Sequence, residues 1–579
     1  MKLRNYFFGA LACLALASCS SDDDAIDSGQ NGQAGEQGYV AVKLVMPGSQ
    51  TRAWDNTDNG VNYTSGTDDE TAVKDITFFI YGSDGNQVQT PITYTHSSGS
   101  TYKPSDTSLG DITYPSTGST PSTPGTIDKF TDITILLKDK TASQIAVVIN
   151  WPYDASVVKG ELTLTQLIDK TGNLNGCGTG GQFVMSNSVY LDNSKKPVYA
   201  TPIAGHVYYH ADLANAEALA KDNPVKIPVE RVLARVDFGY ESPISYTDND
   251  KITVTYYDGT EQKTKDITIK PYITGWWLHN TANDSYLVKH ISDYSWGTTW
   301  TNWNDQTNMR SYWANMLSTT HKTYSYGAAN MNNKYCYENT DATSHTTLMV
   351  AATLMQKTAE SPETWSQLDL VQYLNYNFLT KADFMTYIVG YLKDLGYTKD
   401  DGSVIDPNCF TFIYNDNKNT TTLDYDWQTK LGIASGVTLK KNGEAATQTT
   451  LESDVIIFKY YNKGQTYYFK KIQHNPDVED TKYGIVRNHL YKVTITGITG
   501  LGTPVPNPED TPPTPPTDPT PDPTPDPTWP TDPTPTDPDP DQPLDPETPT
   551  NDHSAIAAQI MILKYRVVEQ NIGLDNKQE

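Results

Sequence analysis

The stretch Ala555–Leu574, AIAAQIMILKYRVVEQNIGL, decides how the rest of the chain is read. It is a clean β-strand sequence, yet 48 residues rich in Pro, Thr and acid (Thr503–Thr550) separate it from everything before it. A strand alone can neither satisfy its backbone N–H and C=O groups nor bury its apolar face. It therefore needs a sheet that lacks a strand, and a long solvated tether lets that sheet belong to another molecule.

Within the stretch, Ile556, Ala558, Ile560 and Ile562 share one parity. Around Leu563 and Lys564 the phase slips, and Tyr565 and Val567 take over the inward parity. A one-residue slip turns every later side chain to the other face, so a bulge or a switch between sheets is expected there. One strand would then serve two domains in succession. The preceding linker holds 20 of the 36 prolines and 11 acids, with no Lys or Arg. Such a segment is expected to be extended and largely polyproline II. At about 3.1 Å per residue it reaches on the order of 150 Å, whereas a compact body of about 450 residues has a radius of gyration of roughly 22 Å. Reach alone therefore does not decide whose sheet the strand completes.

A chain of 579 residues is too long for one core. Tyr is frequent, at 38 residues, and Thr abundant, which favours pleated, half-buried surfaces. The net charge of −26 argues against nucleic acid as a partner, since phosphates call for Lys and Arg. It suits a soluble, self-repelling surface protein.

Lys2 and Arg4, followed by the apolar run Phe7 to Ala17, form a targeting segment too short to span a bilayer. Leu16-Ala17-Ser18-Cys19 resembles the lipobox of bacterial lipoproteins, which would make residues 1–18 a signal peptide and Cys19 the lipidated first residue. Ser21-Asp22-Asp23-Asp24 resembles the acidic signal that sends Bacteroidota lipoproteins to the outer face of the outer membrane. Residues 19–52 read as a tether with a removable strand, Tyr39 to Met46, stopped by Pro47-Gly48. Ser49 to Trp54 then offers an exposed Arg52–Ala53 bond.

Residues 53–236 read as a β-sandwich with strands at Val73 to Tyr81, Asp132 to Leu137, Gln144 to Asn150, a segment starting at Phe183 to Ser188, His206 to Tyr209, and Val225 to Phe238. Residues 237–502 read as a second β-sandwich, with strands at Ile252 to Tyr256, Lys265 to Ile273, Thr346 to Leu354, Val455 to Tyr461, Gln465 to Ile472 and Tyr491 to Ile498. Phe384, Met385, Ile388, Leu392 and Leu395 fall at helical spacing and place a helical insertion in this second domain. Residues 503–550 are the linker, and 551–579 carry the terminal strand. The fold class is mainly β, two Greek-key, transthyretin-like sandwiches with small helical insertions.

The two ends of the chain thus each carry a detached strand. Cutting at Arg52 would remove the first and leave a groove with unpaired edges, an aggregation hazard unless filled. The tail of another subunit is a ready replacement, by strand addition. Five or six aliphatic side chains at roughly 1.5–3 kcal/mol each supply on the order of 10 kcal/mol before any ladder hydrogen bond, enough for a long-lived joint after association costs.

Here the chain resembles the major subunits of Bacteroidales type V pili, in the branch of the minor (short) fimbriae, over nearly its whole length. The most specific segments are Tyr483-Gly484-Ile485-Val486-Arg487-Asn488-His489-Leu490-Tyr491, Gly500-Leu501-Gly502-Thr503, and Ile562 to Gln570. Phe183 to Ser188, Val229 to Val236 and Cys336 to Thr340 are similar to the family as well. The resemblance implies a lipidated precursor at Cys19, export to the cell surface, and cleavage after Arg52 by an Arg-specific protease. Polymerisation by C-terminal strand exchange with Ala555–Leu574 as donor would follow. Implied partners are copies of itself, accessory or anchor subunits, the protease, and the outer membrane through the lipid before cleavage. Adhesion and biofilm support are the implied roles. The length of the Pro-Thr-Asp linker departs from the family pattern and is compatible with a stalk or spacer in place of a tight shaft.

No enzyme signature stands up, and no cofactor or metal is implied. Gly176-Cys177-Gly178-Thr179-Gly180-Gly181 fits GxGxxG formally, but a strand-like segment follows where a phosphate cradle needs a helix N-terminus. His206 and His210 lie four apart with no third ligand nearby and read as surface histidines. Asp55 to Gly60 starts like a calcium loop, but its twelfth position is Gly66 where a Glu is needed. Cys177, Cys336 and Cys409 of the mature chain form no CxxC pair; one disulfide with a free thiol and three buried thiols both stay open. Trp276, Trp277, Trp296, Trp300, Trp303 and Trp313 crowd the second domain. Core packing accounts for such a cluster, but aromatic platforms also stack on sugars. The alternative function is therefore a monomeric surface lipoprotein, or a tip or accessory subunit, that binds glycans or host proteins.

Overall fold

The structure is a computed structural model that describes residues 63–574 except 65, 68, 100, 106–110, 114–126, 138, 140, 153–161, 173–182, 192–195, 211–212, 247–250, 292–320, 323–334, 342, 415–428, 475–481, 499, 505–552 and 564. It is mainly β, with small helical insertions. Tyr39 to Met46 and most of the Pro-rich linker lie outside the described residues.

The first body is a single curled sheet. Its central path runs Val225–Arg231, Met185–Asn187, Ala142–Ile149, Asp75–Gly82, Ile92–Ser98, Thr101–Pro104 and Ile112–Thr113. The strand Asp75–Gly82 reads DITFFIYG and is buried over nearly its whole length, because it is central and covered on both faces. The Tyr94 hydroxyl donates to the Thr134 carbonyl at 2.9 Å, linking Ile92–Ser98 to the strand Ile127–Leu136 by a side chain. The enclosed core holds Phe78, Ile80, Ile133, Ile135, Val147, Ile149, Ile227 and Val229.

Val225 to Phe238, a long strand or strand pair in the sequence reading, is a pair that belongs to different sheets. Val225–Arg231 stays in the first sheet, while Leu233–Tyr246 opens a second of five strands. Leu233 closes the first core and Ala234, its neighbour, opens the second.

In the second body the five-stranded sheet runs Tyr63–Thr64, Tyr565–Leu574, His489–Ile498, Leu233–Tyr246 and Tyr335–Tyr337. It packs on a nine-stranded sheet built around Glu261–His279, Thr347–Glu360 and Gln465–Lys471. Val236, Tyr491, Val493 and Ile495 from one sheet meet Ile269, Leu348, Val350 and Tyr468 from the other. Phe238 stacks on Trp276 across the interface, with centroids 5.3 Å apart and planes at 22°.

The helical insertion has a core of its own. Thr380 caps the helix Lys381–Asp394 by accepting from the Asp383 N–H, and the acid in the first turn suits the helix dipole. Phe384, Met385, Ile388, Val389 and Leu392 are its buried face. Phe384 lies 4.6 Å from Phe458, 5.6 Å from both Tyr373 and Phe378, and 5.9 Å from Phe412. Two expected strands differ from the reading. Val455 caps the helix Gln448–Asp454, so the strand expected from Val455 shortens to Lys459–Tyr461. His206 lies before its strand, which is Tyr208–His210.

Phe384→Ala removes a ring packed against four others, and should lower stability by about 3–5 kcal/mol. Denaturant unfolding followed by fluorescence checks this, with the loss read from the midpoint at constant slope.

Candidate functional site: the seat of the C-terminal tail

The tail forms two strands, His553–Leu563 and Tyr565–Leu574, in different sheets. The first ends at Leu563 and the second begins at Tyr565, with a register irregularity between Ile562 and Leu563. A change of sheet is expected here from the sequence, but the residues that face inward beyond it are Val568 and Gln570, which keep the parity of Ile556 to Ile562 where the sequence reading has Tyr565 and Val567.

The first tail strand fills a slot in the first body. On one side it runs antiparallel to Ile127–Leu136, with Ile556 opposite Ile135, Ala558 opposite Ile133, Ile560 opposite Thr131 and Ile562 opposite Lys129. On the other it runs parallel to Val225–Arg231, with Ala558, Ile560 and Ile562 opposite Val225, Ile227 and Val229. Its start also pairs with Tyr208–His210. Ile133, Ile135, Val225, Ile227 and Val229 are all core residues, so the slot walls are apolar.

The second tail strand runs parallel to His489–Ile498, from Arg566 opposite His489 to Leu574 opposite Ile498, with Val567 opposite Leu490. On its far side Tyr565 pairs with Thr64 and Arg566 with Tyr63. Val568 is half-buried and packs against the second core. Gln570 is buried and holds Gln473 by two bonds: its Oε1 accepts from the Gln473 N–H at 3.0 Å, and its Nε2 donates to the Gln473 carbonyl at 2.7 Å. That pairing mimics one more rung of a ladder, made by a side chain.

Between the two seats the tail passes a buried polar hub. Val229 pairs with Ile562 and His489 with Arg566, so Arg231 and Asn488 flank the crossing in sequence. Asn488 sits at φ 53° and donates its N–H to the Leu233 carbonyl at 3.0 Å. Its Oδ1 accepts from the Arg231 backbone N–H at 3.3 Å and guanidinium at 3.1 Å. Asn tolerates this left-handed conformation better than most residues. The Arg231 Nε donates to the Glu70 carbonyl at 2.8 Å. The Glu70 carboxylate in turn accepts from the Tyr335 hydroxyl at 2.5 Å and from Arg235 at 3.3 Å. Arg235 also forks onto Asp237, with both bonds at 2.8 Å.

Burial alone would raise the pKa of Glu70, but Arg235, Arg231, Tyr335 and the Thr67 N–H overcome that and hold it below the ordinary carboxylate value. Burial and the Glu70 charge push the Tyr335 hydroxyl up, so it stays a donor. A second knot lies one residue from Asn488. Arg487, fully buried, donates to Glu338 at 3.0 and 2.5 Å, and to the carbonyls of Leu287 and Tyr286 at 3.1 and 2.8 Å. Three segments singled out in the sequence therefore converge here: Val229 to Val236, Cys336 to Thr340 and Tyr483 to Tyr491.

Where the linker leaves the body, Gly502 has φ +71°, and a Cβ there would meet the Tyr467 carbonyl oxygen at 2.6 Å. This accounts for the Gly-Leu-Gly-Thr segment. The expected lipidation site Cys19 and cleavage site Arg52 and Ala53 lie outside the described residues. So do Cys177, the Gly176 to Gly181 loop, Asp55 to Gly60, and Trp296, Trp300, Trp303 and Trp313. Trp277 is buried edge-on against Tyr467 at 5.4 Å, and Trp276 stacks in the second core, so neither is a free platform. Cys336 and Cys409 are free and buried, and burial pushes the Cys336 thiol up to about 12. Among the described residues no cluster of His, Cys, Asp and Glu could hold a metal ion, and no helix is long and apolar enough to cross a membrane. Sequence reading missed Glu70, Val568 and Gln570. The paired Val567-Val568 carries no parity by itself, and Glu70 gives no local signal.

Residues 459–571 match the family model for the major fimbrial subunit protein type IV, fimbrillin, C-terminal region. That span begins at the strand Lys459–Tyr461 and ends within the second tail strand, so it takes in Gln465–Lys471, His489–Ile498, the linker, the first tail strand and most of the second. The likeness to that family is one of this C-terminal region, 113 of the 579 residues. No curated protein sequence matches it. Among solved structures, a fimbrial assembly protein from Parabacteroides distasonis shares 10% identity at a TM-score of 0.22, covering 53% of this chain and 82% of that one. A candidate cell-adhesion protein from the same organism shares 14% identity at a TM-score of 0.26, covering 57% and 78%.

Two measurements test the seat. Glu70 has a depressed pKa, so its contribution to stability is full above the ordinary carboxylate value of 4.5 and is lost as the pH falls through the folded value. Glu70→Gln should therefore flatten the acid limb of stability against pH, measured by denaturant unfolding at a series of pH values. Gln570→Ala removes both bonds to the half-buried Gln473 backbone and should weaken the second seat by about 1–3 kcal/mol. Faster amide exchange along Tyr565–Leu574 reports it.

Proposed function

We propose that this chain is the polymerising structural subunit of a cell-surface fimbria. It is exported as a lipoprotein on Cys19, cut after Arg52 by an Arg-specific protease, and assembled by strand exchange. The tail of one subunit enters the slot between Ile127–Leu136 and Val225–Arg231 of the next and continues along its His489–Ile498 strand. The observation that carries this reading is a tail that completes two sheets in turn, at the far end of a 48-residue linker. The fimbrillin match over the same region supports it. Copies of itself and accessory or anchor subunits are the partners, the outer membrane holds the precursor by its lipid, and adhesion and biofilm support follow from the polymer.

A second reading has an observation of its own. The tail lies in the sheets of its own chain, which suits a self-completed precursor, or a monomeric surface lipoprotein that never exchanges strands. Treating the unlipidated precursor with an Arg-specific protease and running unboiled SDS gels separates the two. A ladder is expected, and it should vanish in Arg52→Ala or on deletion of residues 553–579. Monomer in every lane would sink the polymer reading.

A further inference from the structure

Eight large hydrophobic side chains are exposed among the described residues, and five of them gather in one place: Leu374, Tyr376, Tyr391, Ile456 and Ile457. Leu374 and Tyr376 belong to the turn and the second strand of a hairpin in which Tyr373 pairs with Tyr376. The first strand of that hairpin pairs with Lys459–Tyr461, Gln372 opposite Lys459, which brings Leu374 beside Ile456 and Ile457. The Tyr373 hydroxyl is hydrogen-bonded to the Ile456 backbone and ties the group together. From the helix, Tyr387 lies 5.7 Å from the Tyr376 ring and 6.4 Å from Tyr373, and Tyr391 follows one turn on. Tyrosine rings and aliphatic side chains are thus exposed on neighbouring elements: the hairpin, the segment before Lys459–Tyr461 and the helix. Exposed apolar patches of this kind mark contact surfaces.

The linker leaves the body beside this surface. The Tyr461 hydroxyl donates to the Gly502 carbonyl at 2.9 Å, and Thr503–Pro504 pairs with Thr466 and Tyr467. Tyr461 ends the strand that Ile456 and Ile457 precede, so exit and patch are separated by a few residues of extended chain, roughly 15 Å at about 3.3 Å per residue. The segment that starts there carries most of the chain's proline. Its one aromatic residue is Trp529, followed by Pro530. From Pro504 to Trp529 the contour is roughly 78 Å at about 3.1 Å per residue, ample for a return.

We propose that the Leu374, Tyr376, Tyr391, Ile456 and Ile457 surface is a docking site for this chain's own Pro-rich segment, with Trp529-Pro530 as its anchor. The recognition chemistry is that of polyproline II ligands, whose proline rings lie in shallow tyrosine-lined grooves and lose little entropy on binding. The mixture of tyrosine with branched aliphatics suits proline and indole rings better than sugars, which need flanking polar partners. Tethering supplies an effective concentration on the order of millimolar, so a weak contact is enough. Docking takes up slack and shortens the distance at which the tail is presented.

Amide exchange of the full-length chain tests this. Residues 370–378 and 455–459 should exchange several-fold faster in Trp529→Ala than in the parent, with the thermal midpoint unchanged. The double variant Tyr376→Ser, Tyr391→Ser, altered only at exposed rings, should enlarge the radius of gyration in small-angle scattering. Equal exchange in parent and Trp529→Ala overturns the proposal. So does protection that rises with protein concentration, which would put a second copy on the surface, and so does an unchanged scattering profile in the double variant.

Discussion

The structure depends on an unpaired backbone being paired. Two sheets each have a gap one strand wide, and a single tail closes both. Without it, Ile127–Leu136 and Val225–Arg231 would face each other across an empty slot, their N–H and C=O groups open and Ile133, Ile135, Ile227 and Val229 uncovered. Backbone groups in an apolar slot cost several kcal/mol each when left dry and unmade, so the body has a strong and directional demand for one more strand. Each other element is arranged around that demand: the first sheet curls to form the slot, and the second presents His489–Ile498 in line with it.

A set of charged and polar groups away from water joins the two sheets beside the gaps. Arg231, Glu70, Arg235 and Asn488 join the start of the described chain to both sheets, and Arg487 with Glu338 ties the loop before His489 to the segment 285–287. Buried ion pairs of this sort contribute little net stability, because desolvation offsets attraction. Their geometry, however, admits one arrangement, since a guanidinium that misses its carboxylate is left charged and dry. The hub therefore sets register between two bodies that apolar packing alone would let slide.

Much of this was legible in the sequence, for identifiable reasons. The central strands of the first body are long apolar runs, such as Ile76 to Tyr81 and Ile145 to Ile149, and burial on both faces leaves them hard to mistake. The insertion helix shows itself by the spacing of Phe384, Met385, Ile388 and Leu392. The tail reads plainly as a strand, but its change of sheet leaves no slip in the buried parity: Val568 and Gln570, inward in the second strand, keep the even parity of Ile556 to Ile562, and not that of Tyr565 and Val567. Other features left weaker traces. The separate core of the insertion rests on contacts between Phe384, Phe412 and Phe458, far apart in the chain. Val455 to Tyr461 is apolar enough for a strand, but its first residue is taken by a helix cap and the next two are exposed. Glu70 and Gln570 are polar residues whose partners lie 165 and 97 positions away, and no local pattern encodes such a pairing.

In a polymer joined as proposed above, the ladders in which the tail runs parallel to Val225–Arg231 and His489–Ile498 would also set how the joint bears force. Tension delivered through the linker enters at His553 and runs along the strand axis, at right angles to the direction in which the rungs on either side point. Pulled this way a strand is sheared, and its rungs share the load and must fail together; peeled from one end, they would part singly. The two seats lie in series along the tail, so the second is shielded until the first has slipped. A seam of that design holds far beyond what its equilibrium affinity suggests, and it yields by sudden release after long resistance.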